Sequence, residues 1–235
     1  MIRKKSLPVA LACAALMSCV YASITYAADP SFAGVWLLDG DHSTIRTTDG
    51  KLPPMKPEAR KRYDAAVAAR KQGKPTGDGL AKCLPHGLPR LMFAPYPIEI
   101  LQEKKQITFL HEAHHMPRLV YLGEKLPAVD TLDNNYMGAS AGNWDGDTLV
   151  IDSAGFNDLT TIDTAGVPHS EALTLQERMR LVDGGKTLED VITVTDPETF
   201  TKPWQTRVSF KRLPEGTWLK EFVCTDRNPD AGPVR

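Results

Sequence analysis

After residues 7–20 the sequence contains no long apolar run. Nothing later approaches the roughly 18 apolar residues that a membrane-spanning helix needs, so no membrane span is expected. Neither charge is in excess. The 28 basic and 29 acidic residues are interspersed and sum to −1. No basic stripe carries aromatics, which argues against a nucleic-acid partner. No alternation of strand-like and helix-like segments is present, which disfavours a doubly wound parallel sheet. No period of solenoid type repeats. Nothing calls for an organic cofactor, and the sequence gives no reading of oligomeric state. Cysteine is scarce: the four are Cys13, Cys19, Cys83 and Cys224.

What is present begins with an export signal. Arg3, Lys4 and Lys5 precede an apolar stretch from Leu7 to Val20, and small residues follow to Ala27 and Ala28. This pattern predicts a signal peptide over residues 1–27, cut at Ala27 or Ala28, and a periplasmic or secreted protein. Lipid anchoring at Cys19 is the competing reading. Cys13 and Cys19 leave with the signal. Cys83 and Cys224 remain as an even pair in an oxidising compartment, which predicts a disulfide between them; two buried thiols are the alternative.

Residues 28–235 read as a single mainly β domain. Trp36, two residues after Gly34, resembles the Gly-x-Trp opening of lipocalin-like barrels. Pro57 to about Gln72 is Ala-rich and charged, and its sparse apolar stripe (Tyr63, Ala66, Val67) predicts one surface helix. Lys71 to Gly79 reads as a linker, and four prolines make Cys83 to Pro97 ordered but irregular. Strands are expected near 98–102, 106–113, 118–122, 148–154, 173–182, 187–195, 205–212 and 217–224. They are separated by turns such as Asp145-Gly146-Asp147 and Asp183-Gly184-Gly185. Short strands joined by such turns predict an antiparallel calycin- or lipocalin-like barrel, or a strongly curved sheet, with one N-terminal helix outside.

Three features could carry chemistry. His111-Glu112-Ala113-His114-His115 matches H-E-x-x-H. That motif binds zinc only on a helix, where the two outer histidines share a face. In a strand they lie about 13 Å apart at about 3.3 Å per residue. Gln106-Ile107-Thr108-Phe109 favours a strand, so no metal is expected. A metal-dependent hydrolase using His111 and His115, or another metal site using His114 or His115, is the alternative. Strand parity is the second lead. Leu173, Leu175, Glu177, Met179 and Leu181 share a face of one predicted strand, as do Leu219, Glu221 and Val223 of another. An inward carboxylate is costly unless paired or protonated, and such a group suits acid–base work. The third feature is a loop of about 18 residues with Asp158, Asp163 and His169. Loops of that length are commonly functional, and His169 suits proton transfer.

The segments Cys83 to Met92, Ala94 to Ile100, Met137-Gly138 to Asp158, Pro168-His169-Ser170-Glu171, Thr201-Lys202-Pro203-Trp204 and Glu221 to Cys224 belong together. With Glu112, Arg118, Tyr121, Glu177 and Arg178, they resemble a family of secreted bacterial β-rich proteins often present in several copies per genome. The motifs are of the types CLPxGxPRLM, MGxSxGxWxGDTLVxD, GFND and PHSExL, over about residues 83–224. The resemblance implies a β-rich fold with Glu112 ending a strand. It implies no activity. The sequence departs from the family pattern at Thr174 and Arg227, so no role is carried to either.

The expected function is binding of a small, partly apolar organic molecule in a barrel cavity, with acid–base catalysis of elimination, isomerisation or hydrolysis type. Glu112, His169 and Glu177 are the candidate catalytic groups. Arg118, Tyr121, Asp163, Arg178 and Glu221 are the candidate substrate contacts. A non-catalytic lipocalin-type carrier would use the same cavity.

Overall fold

A computed structural model describes residues 30–74, 76 and 79–224, with backbone only at 80 and 81. The predicted signal peptide, Cys13, Cys19, Arg227 and part of the predicted linker lie outside the described residues.

Seven of the eight expected spans form strands, and with two more the described residues hold nine, on which alternate side chains face opposite ways. They are β1 (Gly34–Leu38), β2 (Ile98–Gln102), β3 (Gln106–His111), β4 (Pro117–Leu122), β5 (Ala139–Asp145), β6 (Thr148–Ala154), β7 (Thr174–Val182), β8 (Thr187–Thr195) and β9 (Trp204–Arg212). They form a closed barrel in sequence order. β1 pairs β9 through Trp36↔Arg212, so no sheet edge is left open. Every neighbouring pair is antiparallel except β4 and β5, which run parallel through Val120↔Ser140. Burial alternates along β3, along β7 from Thr174 to Arg180 and along β8 from Leu188 to Thr195, so alternate residues fill the interior.

The one α-helix among the described residues, α1 (Pro57–Lys71), begins with proline at its first turn and carries Glu58 there, with Arg70 and Lys71 in its last turn. These choices suit the helix dipole. Ala59 and Tyr63 are its buried residues, and Val67 packs partly against the core.

One end of the barrel receives the C-terminal end of β3 and the N-terminal end of β4. There the irregular stretch before β2 inserts a short 3₁₀ turn, Arg90–Phe93, all four residues of which are buried. After β9 the chain does not make the strand expected at 217–224. Residues 217–223 carry no strand, and Glu221 is exposed. This segment is instead a strap. The Lys220 amide donates to Glu112 Oε2 at 2.8 Å, and the Phe222 amide donates to His115 Nε2 at 2.8 Å. Cys224 is bonded to Cys83, 141 residues away in sequence.

Candidate functional site: a polar layer inside the barrel

β4 places Arg118 in the interior, where it and Glu177 of β7 are each only 1% exposed. The guanidinium takes Glu177 in a two-pronged grip, from Nη1 to Oε1 at 2.8 Å and from Nη2 to Oε2. Its Nε donates to Ser140 Oγ at 3.3 Å and its Nη2 to Ser153 Oγ at 3.0 Å, and the two serine hydroxyls bond each other at 2.8 Å. Ser140 and Ser153 stand opposite one another on β5 and β6. The Arg118 guanidinium lies 5.4 Å from the centre of the Phe109 ring.

β8 adds a second carboxyl. Asp190 is fully buried, and neither oxygen makes a hydrogen bond of ordinary geometry. Burial first, and the charge of Glu177 second, hold it well above the usual carboxylate range, with Arg118 pulling the other way. Two carboxylates share one guanidinium, so the second keeps its proton. His111, at the end of β3, completes the layer. Burial first, then the charges of Arg118 and His86, push its imidazole down to about 3, and its Nε2 has no hydrogen-bond partner.

Next to this layer is an apolar seam lined by Trp36, Met92, Ile98, Ile100, Phe109, Met179, Leu188 and Phe210, with no void wide enough for a water molecule. Met92 belongs to both regions. It comes from the inserted turn, lines the seam, and brings its sulfur to 4.0 Å from Arg118 Nη1.

No family model and no curated protein matches the sequence. Among solved structures the chain is similar to a protein described as REP1-NXSQ fatty acid transporter. The two share 12% identity at a TM-score of 0.36, over 77% of this chain and 96% of that one. A point mutant of that transporter matches at 14% identity and a TM-score of 0.36, over 77% and 97%. A likeness at that level assigns no ligand and no chemistry to this chain.

Of the eight residues expected at the site, the structure brings Arg118 and Glu177 into contact and keeps the others apart from that pair. Arg178, on the outward parity of β7, reaches Asp145 at 2.8 Å on the surface. Tyr121 is 49% exposed on the outer face of β4. Glu221 lies on the strap, since 217–224 has no ladder partner to make it a strand. Glu112 is buried but is spent on the Lys220 amide. It follows β3 with helical backbone angles, just before the 3₁₀ turn Ala113–His115. Strand, turn and a left-handed His114 replace the continuous helix that H-E-x-x-H needs.

The long loop forms its own network. Asp163 accepts the amides of Ile45 (2.8 Å), Gly166 (2.8 Å) and Val167 (2.9 Å). His169 is buried, with Nε2 2.8 Å from Thr160 Oγ1 and Nδ1 3.2 Å from the Ser170 carbonyl. A carbonyl can only accept, so Nδ1 carries the proton and Nε2 accepts from the threonine hydroxyl. Burial lowers the imidazole's proton affinity. The charges acting on it are Asp196, Asp158 and Arg62, none of them in the polar layer. A cleft of about 160 Å³ between this loop and α1 runs past Arg62 and Thr160. A larger cleft of about 580 Å³, outside the barrel, lies beside Lys51, Lys202 and Trp204.

Asp190, His111, Ser140 and Ser153 were missing from the expected site. Asp190 had a signal: it alternates with Leu188, Ile192 and Val194 on the buried face of β8, the same parity argument that singled out Glu177.

Proposed function

We propose that this chain is an exported barrel protein that binds a small, partly apolar organic molecule between the apolar seam and the Arg118–Glu177–Asp190 layer. The carboxyl pair is its acid–base group. The observation that carries this reading is Asp190: a fully buried carboxyl without a hydrogen bond of ordinary geometry, beside a carboxylate already gripped by arginine. A core selected for stability alone has no use for a buried group left without partners, and perturbed carboxyls concentrate at functional sites. A carboxyl that holds its proton beside a carboxylate gripped by arginine gives one acid and one base, which suffices for isomerisation or elimination. Met92 is the movable wall, because its unbranched thioether repacks easily. The apolar lining of the seam supports a second reading, a carrier that holds the same molecule without reaction.

The test is mass spectrometry of small molecules released from the disulfide-bonded protein, wild type against Asp190→Asn. One compound near stoichiometry in the wild type, depleted in the variant, is the expected result. Equal contents in both, or none in either with the fold intact, overturns the reading.

A further inference from the structure

Arginine inside a barrel suggests an anionic ligand, as a carboxylate-holding role for Arg118 would require. The hydrogen bonds contradict that role. A guanidinium has five N–H donors. Those of Arg118 are directed at Ser140, at both oxygens of Glu177, at Ser153 and, weakly, at the Met92 sulfur. None is left over. An incoming carboxylate would find no free guanidinium N–H and would meet the negative charge of Glu177, with only the Asp190 carboxyl proton to offer.

The layer instead sets one guanidinium against two carboxyls and is neutral only while Asp190 holds a proton; with that proton gone it has room for one further positive charge. Its charged groups, taken from every strand that contributes one, are Arg118 of β4, Glu177 of β7 and Asp190 of β8. His111 of β3 is held neutral by burial, and Ser140 and Ser153 are spent on each other and on Arg118. One cation faces two carboxyls, and neither oxygen of the second makes a hydrogen bond of ordinary geometry, with Glu177 and the Arg178 amide its polar neighbours.

We propose that the molecule bound at this layer is a small organic monocation, a primary amine with an apolar or aromatic body, its ammonium lying between Asp190 and Glu177. The inference rests on the reading of the barrel as a ligand site. The ammonium brings N–H donors to Asp190 and balances the charge of the layer. Trp36, Phe109 and Phe210 supply aromatic walls for the body. The amine enters protonated, and the Asp190 carboxyl releases its proton to solvent, so charge and protons balance at one proton out per amine bound.

The experiment is isothermal titration calorimetry of the disulfide-bonded protein with benzylamine, benzyl alcohol and benzoate. Each titration is run in two buffers of different ionisation enthalpy. Met92→Ala, which removes the buried thioether between seam and layer, is run beside the wild type. Benzylamine should bind with about one proton released, and the alcohol and the acid should bind at least about tenfold more weakly, as loss of a charge-assisted hydrogen bond implies. Asp190→Asn should lose the proton release and at least about tenfold in affinity. Tighter binding of benzyl alcohol or benzoate, or amine binding without proton release, overturns the amine inference and leaves the barrel site standing. If none of the three binds to either wild type or Met92→Ala, the barrel site falls as well.

Discussion

Asp163 and Asp190 are equally withdrawn from water, both at 0% exposure, yet their partners differ completely. Asp163 accepts three backbone amides and ties the long loop to Ile45, 118 residues away in sequence. Asp190 makes no hydrogen bond of ordinary geometry, and its polar neighbours are Glu177 and the Arg178 amide. Burial raises the proton affinity of both, but at Asp163 the amides pull it back, while at Asp190 the charge of Glu177 pushes it further. The loop shows what a buried carboxylate looks like when it serves the fold, and β8 carries one that the fold does not use.

Five measurements break or sharpen this contrast. The largest effect is expected at Arg118. Arg118→Met leaves Glu177 and Asp190 with no counter-charge and should cost about 3–5 kcal/mol in urea denaturation. A loss under about 1 kcal/mol would mean that the ion pair is not buried as described. Next comes Asp163→Ala, which orphans three amides and should cost about 2–4 kcal/mol. Asp190→Asn should stay within about 1 kcal/mol of wild type or exceed it, because a neutral amide replaces a group that must hold a proton. A loss at Asp190 as large as that at Asp163 would erase the distinction between them.

The two buried groups of the layer respond to pH with opposite signs. The raised folded value at Asp190 means that the native state keeps a proton that the unfolded chain has already lost. Stability is therefore full below the unfolded value and falls as pH rises toward the folded one. The slope is at most about 1.4 kcal/mol per pH unit. His111 acts in reverse. Below the unfolded value of 6.5 the unfolded chain binds a proton that the native state refuses down to about 3, so stability drops as pH falls through that range. Urea midpoints at several pH values for wild type and Asp190→Asn should differ on the rising-pH side and agree in the acid loss due to His111. The smallest effect belongs to Arg178→Ala on the outer face of the same strand as Glu177. Its solvent-exposed pairing with Asp145 should be worth less than about 1 kcal/mol.

Much of the barrel was legible because one buried face forces a period of two. The spans 98–102, 148–154 and 187–195 coincide with β2, β6 and β8. The expected strand at 217–224 shows where that rule stops. Leu219, Glu221 and Val223 alternate correctly, but β1 already pairs with β2 on one side and β9 on the other, and a closed barrel offers no edge to a tenth strand. Alternation records a tendency; a strand also needs a free neighbour. The site divides in the same way. Glu177 was legible from parity, and Asp190 was available to the same argument. The partners of Glu112 and His115 were not, because each is bound by a strap amide more than a hundred residues downstream. His169 was expected at the site because it lies in the long loop, but its hydrogen bonds are local, to Thr160 and Ser170.

The β1–β9 closure also sets a schedule. Trp36 pairs with Arg212, 176 residues further along the chain (212 − 36), so a chain made from its N-terminus must hold Gly34–Leu38 unpaired on one side until the last strand has been synthesised. Until then the growing sheet has two bare flanks, each able to recruit a strand from another molecule. Contacts of such long range slow folding, which makes the interval long. The vulnerable period of this protein is thus its youth, and the Cys83–Cys224 bond, whose second partner is made later still, can form only at the end of it.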